Sequence, residues 1–574
     1  MFNSKKTSLF DSKSTTQKTS ATSSSTNAFV NAGLKKSAET RSGNGALKYS
    51  TTGNSFVDQF GKLGSYKEPR SFQDISRDMS ELYAIDPEMA VKFAFYIRTI
   101  TRTAQYIDGS KSGTVQRGAG LKHEAIMRLI WLAVNHENVF WQNVGLVPVL
   151  GSWNDIFKML QYDLVYNGWK GRTLDWNKFG SLLLAALENE NTSNLVKKYL
   201  PQIKTNSACK TVESQADNMI GKWLCSLLFG NKESGSTYKQ YRKLKTSGTA
   251  HEWQKLISKG KFLEIDFGSV HGRALAQLVS GKFIMNRGLE EKYNQWIESQ
   301  PIAKFTGYPH ELFAKLPSKQ YHDTVLKQYQ ISTLNKQFKN LVETAKQNAA
   351  TGTNLIVVRD TSGSMVSAAP GTKQSCYDIG KALALFFSEM LPEGHFANSW
   401  IEFNSDAKMH TWKGSTPYEK WTNDRSSYAG GTNFQSVIQL FCKIKQQGVS
   451  ESEFPSGILC ISDSEFNPSQ LKKTNVESAR KTLRNAGFSE EYVQNFKIVL
   501  WNLQNSYYGR GSGKKFETYG ETQNVFYFSG YDGSVIAFLT GVKDKDGNVK
   551  SEPKTDVELF EAAMDQEVLN LVKV

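Results

Sequence analysis

Between residues 56 and 348, the apolar positions follow the period of an α-helix. Residues 121–134 show this pattern well, because their apolar side chains recur three and four positions apart. These side chains are Leu121, Ala125, Ile126, Leu129, Ile130, Ala133 and Val134. One wide apolar stripe of this kind predicts an amphipathic helix. Gly, Pro and Asn residues separate short helical stretches, so we expect a stack of HEAT-like helical pairs, although no clean repeat period is present.

After residue 351, the pattern changes to short apolar runs that alternate with helical stretches. The apolar runs occupy residues 354–359, 399–403, 457–461, 496–501 and 524–528. The helical stretches occupy residues 377–390, 433–447, 476–485 and 556–572. Apolar strands that alternate with helices are typical of a parallel sheet covered on both faces. The sequence therefore predicts a multidomain protein in which an α/β doubly wound domain follows an α-helical region.

The N-terminal stretch, residues 1–53, is rich in Ser, Thr and Lys and has few large apolar side chains. Such a segment buries too little surface to offset the loss of chain entropy, so we expect it to be disordered. The predicted domains are a disordered basic tail over residues 1–55, a helical-repeat region over residues 56–348, and an α/β domain with a closing C-terminal helix over residues 349–574.

Composition places the protein among ordinary soluble chains. The sequence holds no apolar run close to the ~20 residues that span a bilayer, and its first residues lack the apolar core of a secretion signal. The five cysteines form no CxxC pair. We interpret them as reduced thiols in a reducing compartment and expect a cytoplasmic protein.

The net charge of +15 is distributed unevenly along the chain. Residues 1–50 carry +6 and residues 351–574 carry −3, so residues 51–350 carry +12. Positive charge concentrated in the tail and the helical region favours a polyanionic partner, most simply a nucleic acid. A generic basic surface is the alternative explanation.

Three segments bring oxygen ligands to the carboxyl ends of predicted strands. Asp360, Ser362 and Ser364 come from the loop that follows the first strand, Thr432 comes from a Gly-rich loop that opens a helix, and Asp463 ends another strand. Ligands of doubly wound sheets bind outside the carboxyl ends of the strands, so we expect these side chains to lie close together. Carboxylates and hydroxyls are hard ligands that suit Mg²⁺ or another divalent cation.

The order of these segments resembles the metal-ion-dependent adhesion site (MIDAS) of von Willebrand factor A domains, over about residues 349–574. The resemblance implies that Asp360, Ser362, Ser364 and Thr432 contact the metal and that Asp463 acts directly or through water. It also implies an open coordination position that accepts an acidic group of a partner. Two carboxylates and three hydroxyls suit one ion, whereas two-metal nucleases need more carboxylates, so we expect a docking or structural site and no enzyme.

The helical region shows a second resemblance, to the TROVE module of the Ro ribonucleoprotein family. Residues 98–102 (RTITR), 117–124 (RGAGLKHE) and 147–155 (VPVLGSWND) look like the opening of that module. Residues 221–224, 241–243 and 265–270 look like a little-characterised related branch with the same layout, in which a von Willebrand factor A domain follows the helices. Ro proteins bind structured small RNAs and single-stranded RNA ends, so the resemblance implies RNA binding and a ribonucleoprotein scaffold.

The expected RNA contacts are basic side chains that can neutralise phosphates. They are Arg98, Arg102, Arg117, Lys122, His123, Arg128, Arg242, Lys243 and Lys245. Each has an alternative interpretation: Arg128 could flank the core, His123 could form hydrogen bonds at a helix start, and Lys243 could belong to a solvated face. A different function also fits, namely a protein-interaction or assembly factor that captures an acidic group of its partner at the metal.

Overall fold

The computed structural model describes residues 39–42, 44–49, 51–67, 69–99, 102–105, 111–116, 118–166, 173–230, 234–248, 251–270, 272–316, 326–348, 354–390, 396, 398–424, 426, 429–469, 473–504, 523–531 and 553–574. Internal contacts divide the chain into two compact units. The helical unit contains Pro69–Ser269 and Gln566–Val574. The sheet unit contains Val270–Asp565 and the described residues before Pro69. None of the helices in the described ranges has the length and apolar character of a bilayer-spanning segment.

The sheet unit begins with an ordered N-terminal segment. Strand β1 (Glu39–Arg41) pairs antiparallel with β2 (Leu47–Tyr49), and helix α1 (Ser55–Gly61) follows. The side chain of Asn54 caps α1 by accepting hydrogen bonds from two backbone N–H groups of its first turn.

This segment is held by apolar contacts with a distant part of the chain. The rings of Phe56 and Phe60 each lie 5.6 Å from the ring of Phe560, measured between centroids. The sequence predicts disorder for residues 1–53, whereas the described part of this stretch forms the β1–β2 hairpin, with Ala46 buried in the core of the sheet unit. Residues 1–38 lie outside the described residues.

The helical unit consists mainly of short α-helices. They are α2 (Phe72–Ile85), α3 (Pro87–Arg98), α4 (Lys122–Asn135), α5 (Glu137–Asn143), α6 (Leu146–Leu150), α7 (Trp153–Tyr166), α8 (Trp176–Glu188), α9 (Glu190–Tyr199), α10 (Val212–Phe229), α11 (Gly235–Ser247) and α12 (Glu252–Ser258). Strands β3 (Arg102–Gln105) and β4 (Lys111–Gln116) form an antiparallel pair. Consecutive helices pack against each other, as α2 does on α3, α3 on α4 and α8 on α9.

Helix α4 confirms the predicted helix over residues 121–134. Its buried surface is wider than the predicted apolar stripe. Met127 and Trp131 are buried although they lie outside the predicted stripe, whereas Val134 is 37% exposed. Glu124 and Arg128 are also buried. Contacts with α2, α3, α5 and α7 explain this burial, since α4 packs against all four.

The remaining elements of the sheet unit follow residue 270. Its helices are α13 (Gly272–Ser280), α14 (Phe283–Asn286), α15 (Glu290–Ser299), α16 (Pro309–Leu312), α17 (Gln328–Asn348), α18 (Cys376–Met390), α19 (Pro417–Asn423), α20 (Phe434–Gln446), α21 (Asn475–Asn485), α22 (Glu490–Asn495) and α23 (Asp556–Met564). Its strands are β5 (Leu355–Asp360), β6 (Ser399–Phe403), β7 (Ala407–Thr411), β8 (Gly457–Ser462), β9 (Lys497–Asn502) and β10 (Val525–Ser529).

These six strands form one mixed sheet in the order β10-β9-β8-β5-β6-β7. All neighbours are parallel except β7, which runs antiparallel to β6. Counted along the chain from β5, the order is 3-2-1-4-5-6, which is that of an open doubly wound sheet with its switch point between β5 and β8. Helices cover both faces, because α20, α21 and α22 join the core on one face and α18 packs on β5 and β8 from the other.

Two sequence predictions for this unit need correction. The sheet is not wholly parallel, because the edge strand β7 (sequence AKMHT) is partly exposed and polar and gives little apolar signal. The closing helix predicted over residues 556–572 ends at Met564, and a separate 3₁₀ turn follows at Leu569–Leu571. The eight other strands and helices of the predicted alternation agree with the structure to within one or two residues.

Candidate metal centre

Asp360, the last residue of β5, is fully buried at the carboxyl edge of the sheet. The hydroxyl of Ser462, which ends the neighbouring strand β8, donates a hydrogen bond to Asp360 Oδ2. The backbone N–H of Ser362 donates a second one, of 2.8 Å, to Oδ1. Since each oxygen accepts a hydrogen bond, the carboxylate is fixed in one orientation at the switch point of the sheet.

The two serines of the first loop lie side by side. Ser362 Oγ and Ser364 Oγ are 3.1 Å apart. Ser362 is buried, whereas Gly363 and Ser364 are exposed. The side chain of Ser364 lies close enough to the carboxylate of Asp463 to lower the pKa of that carboxyl group. The loop after β5 therefore lies beside the acidic residue that follows β8.

Asp463 begins a tight loop directly after β8 and is buried. Its Oδ1 accepts a 3.3 Å hydrogen bond from the backbone N–H of Glu465. Ser464 has a φ of 62°, in the left-handed region that non-glycine residues rarely adopt, and its N–H donates to Ser462 Oγ at 2.9 Å. These hydrogen bonds form a tight turn at the carboxylate of Asp463.

Thr432 lies in the third loop and is buried. The backbone ties this loop to both of the others: Gly430 O accepts from Gly363 N–H at 3.3 Å, and Thr432 O accepts from Asn467 N–H at 2.9 Å. Gly430 has a φ of 85°, and a Cβ there would lie 2.7 Å from Ser405 Oγ. Glycine is required at this position for both reasons.

The two carboxylates oppose each other's ionisation. Burial raises the pKa of Asp360, and the charge of Asp463 raises it further, against hydrogen bonds that lower it. Burial likewise raises the pKa of Asp463. Two like charges at close range in a buried site are unfavourable unless a proton or a cation compensates them. The arrangement therefore has the electrostatics of a cation site.

The donor set fits one hard divalent cation. It offers two carboxylates and the hydroxyls of Ser362, Ser364 and Thr432, all of them oxygen ligands of the kind that Mg²⁺ or Ca²⁺ takes. Across the described ranges, no cluster of three or more histidine, cysteine or acidic side chains suitable for a metal occurs. The candidate centre contains only two acidic side chains, and its other three ligands are hydroxyls, so it does not count as a cluster of three histidine, cysteine or acidic residues.

A buried ion cluster lies beside the centre on β5. The guanidinium of Arg359 is fully buried, and its Nη1 lies 2.7 Å from Asp424 Oδ2, while Lys381 Nζ lies 3.3 Å from the same oxygen. Although burial opposes it, the charges of Arg359 and Lys381 hold the pKa of Asp424 well below its usual range. Burial lowers the pKa of Lys381 to about 8. Both cations thus share one ion-pair partner.

This cluster fixes the chain before the Gly-rich loop. Asp424 Oδ1 accepts from Ser426 N–H at 3.0 Å. The hydroxyl of Tyr377 donates to Ser426 O at 2.7 Å, and the Arg359 guanidinium lies 4.4 Å from the Tyr377 ring. The backbone of Ala429 and Gly430, a few residues after Ser426, forms hydrogen bonds with Thr361 and Gly363 in the loop that follows β5. The cluster therefore positions the loop of Thr432 from the interior.

The predicted RNA contacts around α4 mostly form internal pairs. Arg98 Nε lies 2.6 Å from Asp155 Oδ2, and Lys122 Nζ lies 3.2 Å from Asp155 Oδ1. Ser152 N–H also donates to Asp155 at 3.0 Å. A Cβ on Gly151 would lie 2.1 Å from the same carboxylate, so the glycine makes room for it. Segments 98–102, 117–124 and 147–155 thus meet around one buried acid.

Arg128 needs correction as an RNA contact. Its side chain is fully buried, and its Nε lies 3.0 Å from Glu124 Oε1, which also pairs with Arg70. A guanidinium enclosed in this way serves as a counter-charge inside the helical unit and cannot reach a phosphate. His123 is partly buried, with its ring nitrogens 3.3 Å from Tyr162 Oη and 3.1 Å from Arg70 O.

Helix α11 carries the basic candidates that face solvent. Arg242 and Lys243 are exposed. Lys245 is partly buried, because its Nζ donates to the backbone carbonyls of Lys198 and Leu200 at the end of α9. Arg102 lies in β3, but its side chain lies outside the described part. Arg117 also lies outside the described residues.

Sequence reasoning missed three residues that shape the centre. The hydroxyl of Ser462 orients the carboxylate of Asp360. The hydroxyl of Ser405 accepts a 3.0 Å hydrogen bond from Gly431 N–H. Asp424 holds the chain that leads into the Gly-rich loop. The position of Ser462 beside Asp463 is a signal that could have identified it. Asp424 lies far from the metal-binding segments in sequence, so no local pattern indicates its role.

Comparison with known families covers the sheet and the three loops of the candidate metal centre. A family model described as a domain of unknown function (DUF7788) matches residues 354–571. The matched stretch contains all three loops of the centre, yet it is less than half of the chain, and its description names no activity. No curated protein matches the chain.

Proposed function

We propose that this protein is a metal-dependent docking protein whose sheet unit, a von Willebrand factor A-type domain, captures an acidic group of a partner. One observation carries the proposal: Asp360 and Asp463 are buried together at the switch point of the sheet, beneath an exposed rim. That rim contains Gly363, Ser364 and Gly430. A cation held between the acids and the rim would be accessible from solvent.

The residues of this chain have distinct parts in the proposed site. Asp360 and Asp463 provide negative charge, and the hydroxyls of Ser362, Ser364 and Thr432 provide neutral oxygen ligands. A bound Mg²⁺ would supply a positive charge with coordination positions left for water or a partner carboxylate. The strand order and the antiparallel edge strand β7 support the assignment to an A-type fold.

The proposal includes no catalytic step. Cys376 lies near both acids and Cys460 lies near Asp360, and burial first and then these charges raise the pKa of both thiols. A thiol with a raised pKa stays protonated and is a weak nucleophile. The five cysteines are free, which supports a reducing location, and we propose the cytoplasm.

The test is to compare Asp463→Asn with the wild-type protein in EDTA and in Mg²⁺. We expect Mg²⁺ to raise the melting temperature of the wild-type protein and the variant to lose this response. Affinity for the cation, measured by calorimetry, should fall about tenfold or more. In EDTA the variant should be at least as stable as the wild type, because the change removes one of two opposed charges.

Asp406→Asn is the matched control, since Asp406 is an exposed acid of the same unit and should leave the Mg²⁺ response unchanged. Docking itself can be measured with Tb³⁺ in place of Mg²⁺, because luminescence lifetimes count the waters on the ion. Acetate should then displace at least one water. A wild-type protein that binds neither Mg²⁺ nor Tb³⁺ would rule out the proposed centre.

RNA binding by the helical unit is a second candidate function, in line with the Ro-type scaffold that the sequence resembles. The observation that favours it is the surface of α11, where Lys239, Arg242 and Lys243 are exposed and the helix contains no acidic residue. Residues 51–350 carry a net +12. Basic side chains without nearby acids can neutralise phosphates and release counterions.

We expect Arg242→Glu with Lys243→Glu to weaken binding of a labelled oligouridylate and of a stem-loop RNA by roughly tenfold or more at low salt. The slope of log affinity against log salt should fall by roughly one per lost contact. The control is Lys255→Glu with Lys261→Glu, which changes the charge equally at exposed lysines already paired with Glu252 and Glu264. Equal losses for both pairs would indicate a general charge effect and contradict a site on α11.

A further inference from the structure

We infer that the N-terminal hairpin β1–β2 positions the loop that carries Asp463, and that Ser42 is the positioning residue of this contact. The inference rests on the proposed metal-dependent function and extends it to a part of the chain outside the matched residues 354–571. The β1–β2 hairpin, which is the described part of the N-terminal tail, would then help to form the proposed metal centre.

The hairpin contacts the loop through polar and apolar groups. Ser42 Oγ donates a 2.8 Å hydrogen bond to the carbonyl of Phe466. The side-chain amide of Asn44 donates to the carbonyl of Glu465. Ala46 is 2% exposed and belongs to the same apolar core as Phe466. The hairpin therefore satisfies two successive backbone carbonyls of a loop more than 400 residues away in sequence.

Ser42 also holds the hairpin itself together. Its hydroxyl accepts a 2.9 Å hydrogen bond from Ala46 N–H while it donates to Phe466 O. Its carbonyl accepts from Gly45 N–H at 2.9 Å, and Gly45 takes a φ of 91° to close the turn. One buried hydroxyl thus connects the fold of the hairpin to the position of the loop.

The loop needs this support because its two ends belong to the metal centre. Ser464, with its left-handed backbone, follows Asp463 directly, and Asn467 N–H donates to Thr432 O at 2.9 Å. The two carbonyls held by the hairpin lie between these points. A shift of the loop would therefore move the Asp463 carboxylate and release the backbone of Thr432 together.

Coupling of this kind acts in both directions. If the hairpin favours the loop conformation that binds a cation, then a bound cation must stabilise the hairpin by the same free energy. A residue that only stabilises the fold would show no such response to Mg²⁺. Exchange of the Gly45 and Ala46 amide protons, which both bond to Ser42, reports the hairpin directly.

The experiment uses the full-length protein and Mg²⁺ alone as the probe. We expect Ser42→Ala to lower the affinity for Mg²⁺ about three- to tenfold, the effect of one lost hydrogen bond. In the wild-type protein, Mg²⁺ should slow exchange of the Gly45 and Ala46 amides, and the variant should lose this protection. Asn44→Ala, at an exposed position, should weaken binding at least about twofold and provides a test if Ser42→Ala does not fold.

The matched control is Ser193→Ala. Ser193 is equally buried, and its hydroxyl donates to Leu187 O at 2.6 Å within the helical unit, so this variant should bind Mg²⁺ like the wild type. The inference is overturned if Mg²⁺ binds the wild type but both hairpin variants match it in affinity, or if Mg²⁺ leaves hairpin exchange unchanged. A wild type that binds no Mg²⁺ would instead overturn the proposed function, and the inference with it.

Discussion

Single charged residues show where sequence interpretation of this chain is weakest. Arg98, Lys122 and Arg128 all lie in segments that resemble an RNA-binding module, yet Arg98 and Lys122 pair with Asp155, and Arg128 pairs with Glu124. A basic residue looks the same in sequence whether its charge faces solvent or an internal carboxylate. Burial of the partner acid decides which of these applies, because a buried charge must be compensated.

Asp556, at the start of α23, provides a test of an acid with a raised pKa away from the candidate metal centre. The residue is partly exposed, but its Oδ1 accepts from the backbone N–H of Tyr527 at 3.2 Å. Burial, and then the charge of Asp58, raise its pKa to about 7. Because the folded pKa lies above the unfolded one, its stability contribution is complete below about pH 4 and is lost as pH rises through about 7.

We expect Asp556→Asn to be more stable than the wild type by about 1–2 kcal/mol at pH 8, and to show no such gain at pH 4. Urea unfolding at both pH values in EDTA measures the difference. The exposed control Asp406→Asn should change the free energy of unfolding by the same small amount at pH 4 and at pH 8. A gain for Asp556→Asn that does not depend on pH would contradict a raised pKa.

At the scale of elements, the candidate metal centre depends on the junctions between strands and loops. The strand ends place Asp360 and Asp463 at one edge, and this much follows from the rule that parallel strands present their carboxyl ends together. The loop of Thr432 is different, because its position depends on Arg359, Lys381 and Asp424, which come from β5, α18 and the segment after α19.

Removing the shared carboxylate of this ion cluster should destabilise the sheet unit strongly. Asp424→Asn leaves Arg359 and Lys381 buried without their shared ion-pair partner, which costs about 3–5 kcal/mol. Thermal and urea unfolding measure the loss, and affinity for Mg²⁺ should fall as well, since the Gly-rich loop loses its anchor. Should Asp424→Asn prove as stable as the exposed control Asp406→Asn, the cluster would have no anchoring role.

At the scale of the whole molecule, charge is segregated along the chain. The sequence assigns the positive charge to residues 1–350 and a slight negative charge to residues 351–574. The structure adds that α13–α17 and residues 39–67 belong by their contacts to the sheet unit. The sheet unit therefore combines residues that are far apart in sequence, as the hydrogen bond between Ser42 and Phe466 shows.

The sequence alone determined the alternation of β5, α18, β6, α20, β8, α21 and β9, because apolar periodicity is a local property of the chain. It also brought Asp360, Ser362, Ser364, Thr432 and Asp463 together as one set, since strand ends share an edge. Their assignment as metal ligands stays a prediction, as does RNA binding by Arg242 and Lys243. Tertiary structure alone decided the burial of Arg128, the edge strand β7, the anchoring by Asp424 and the hairpin of Ser42. Several of these features depend on contacts between residues tens to hundreds of positions apart, such as Arg359 with Asp424 and Ser42 with Phe466, which local patterns cannot specify.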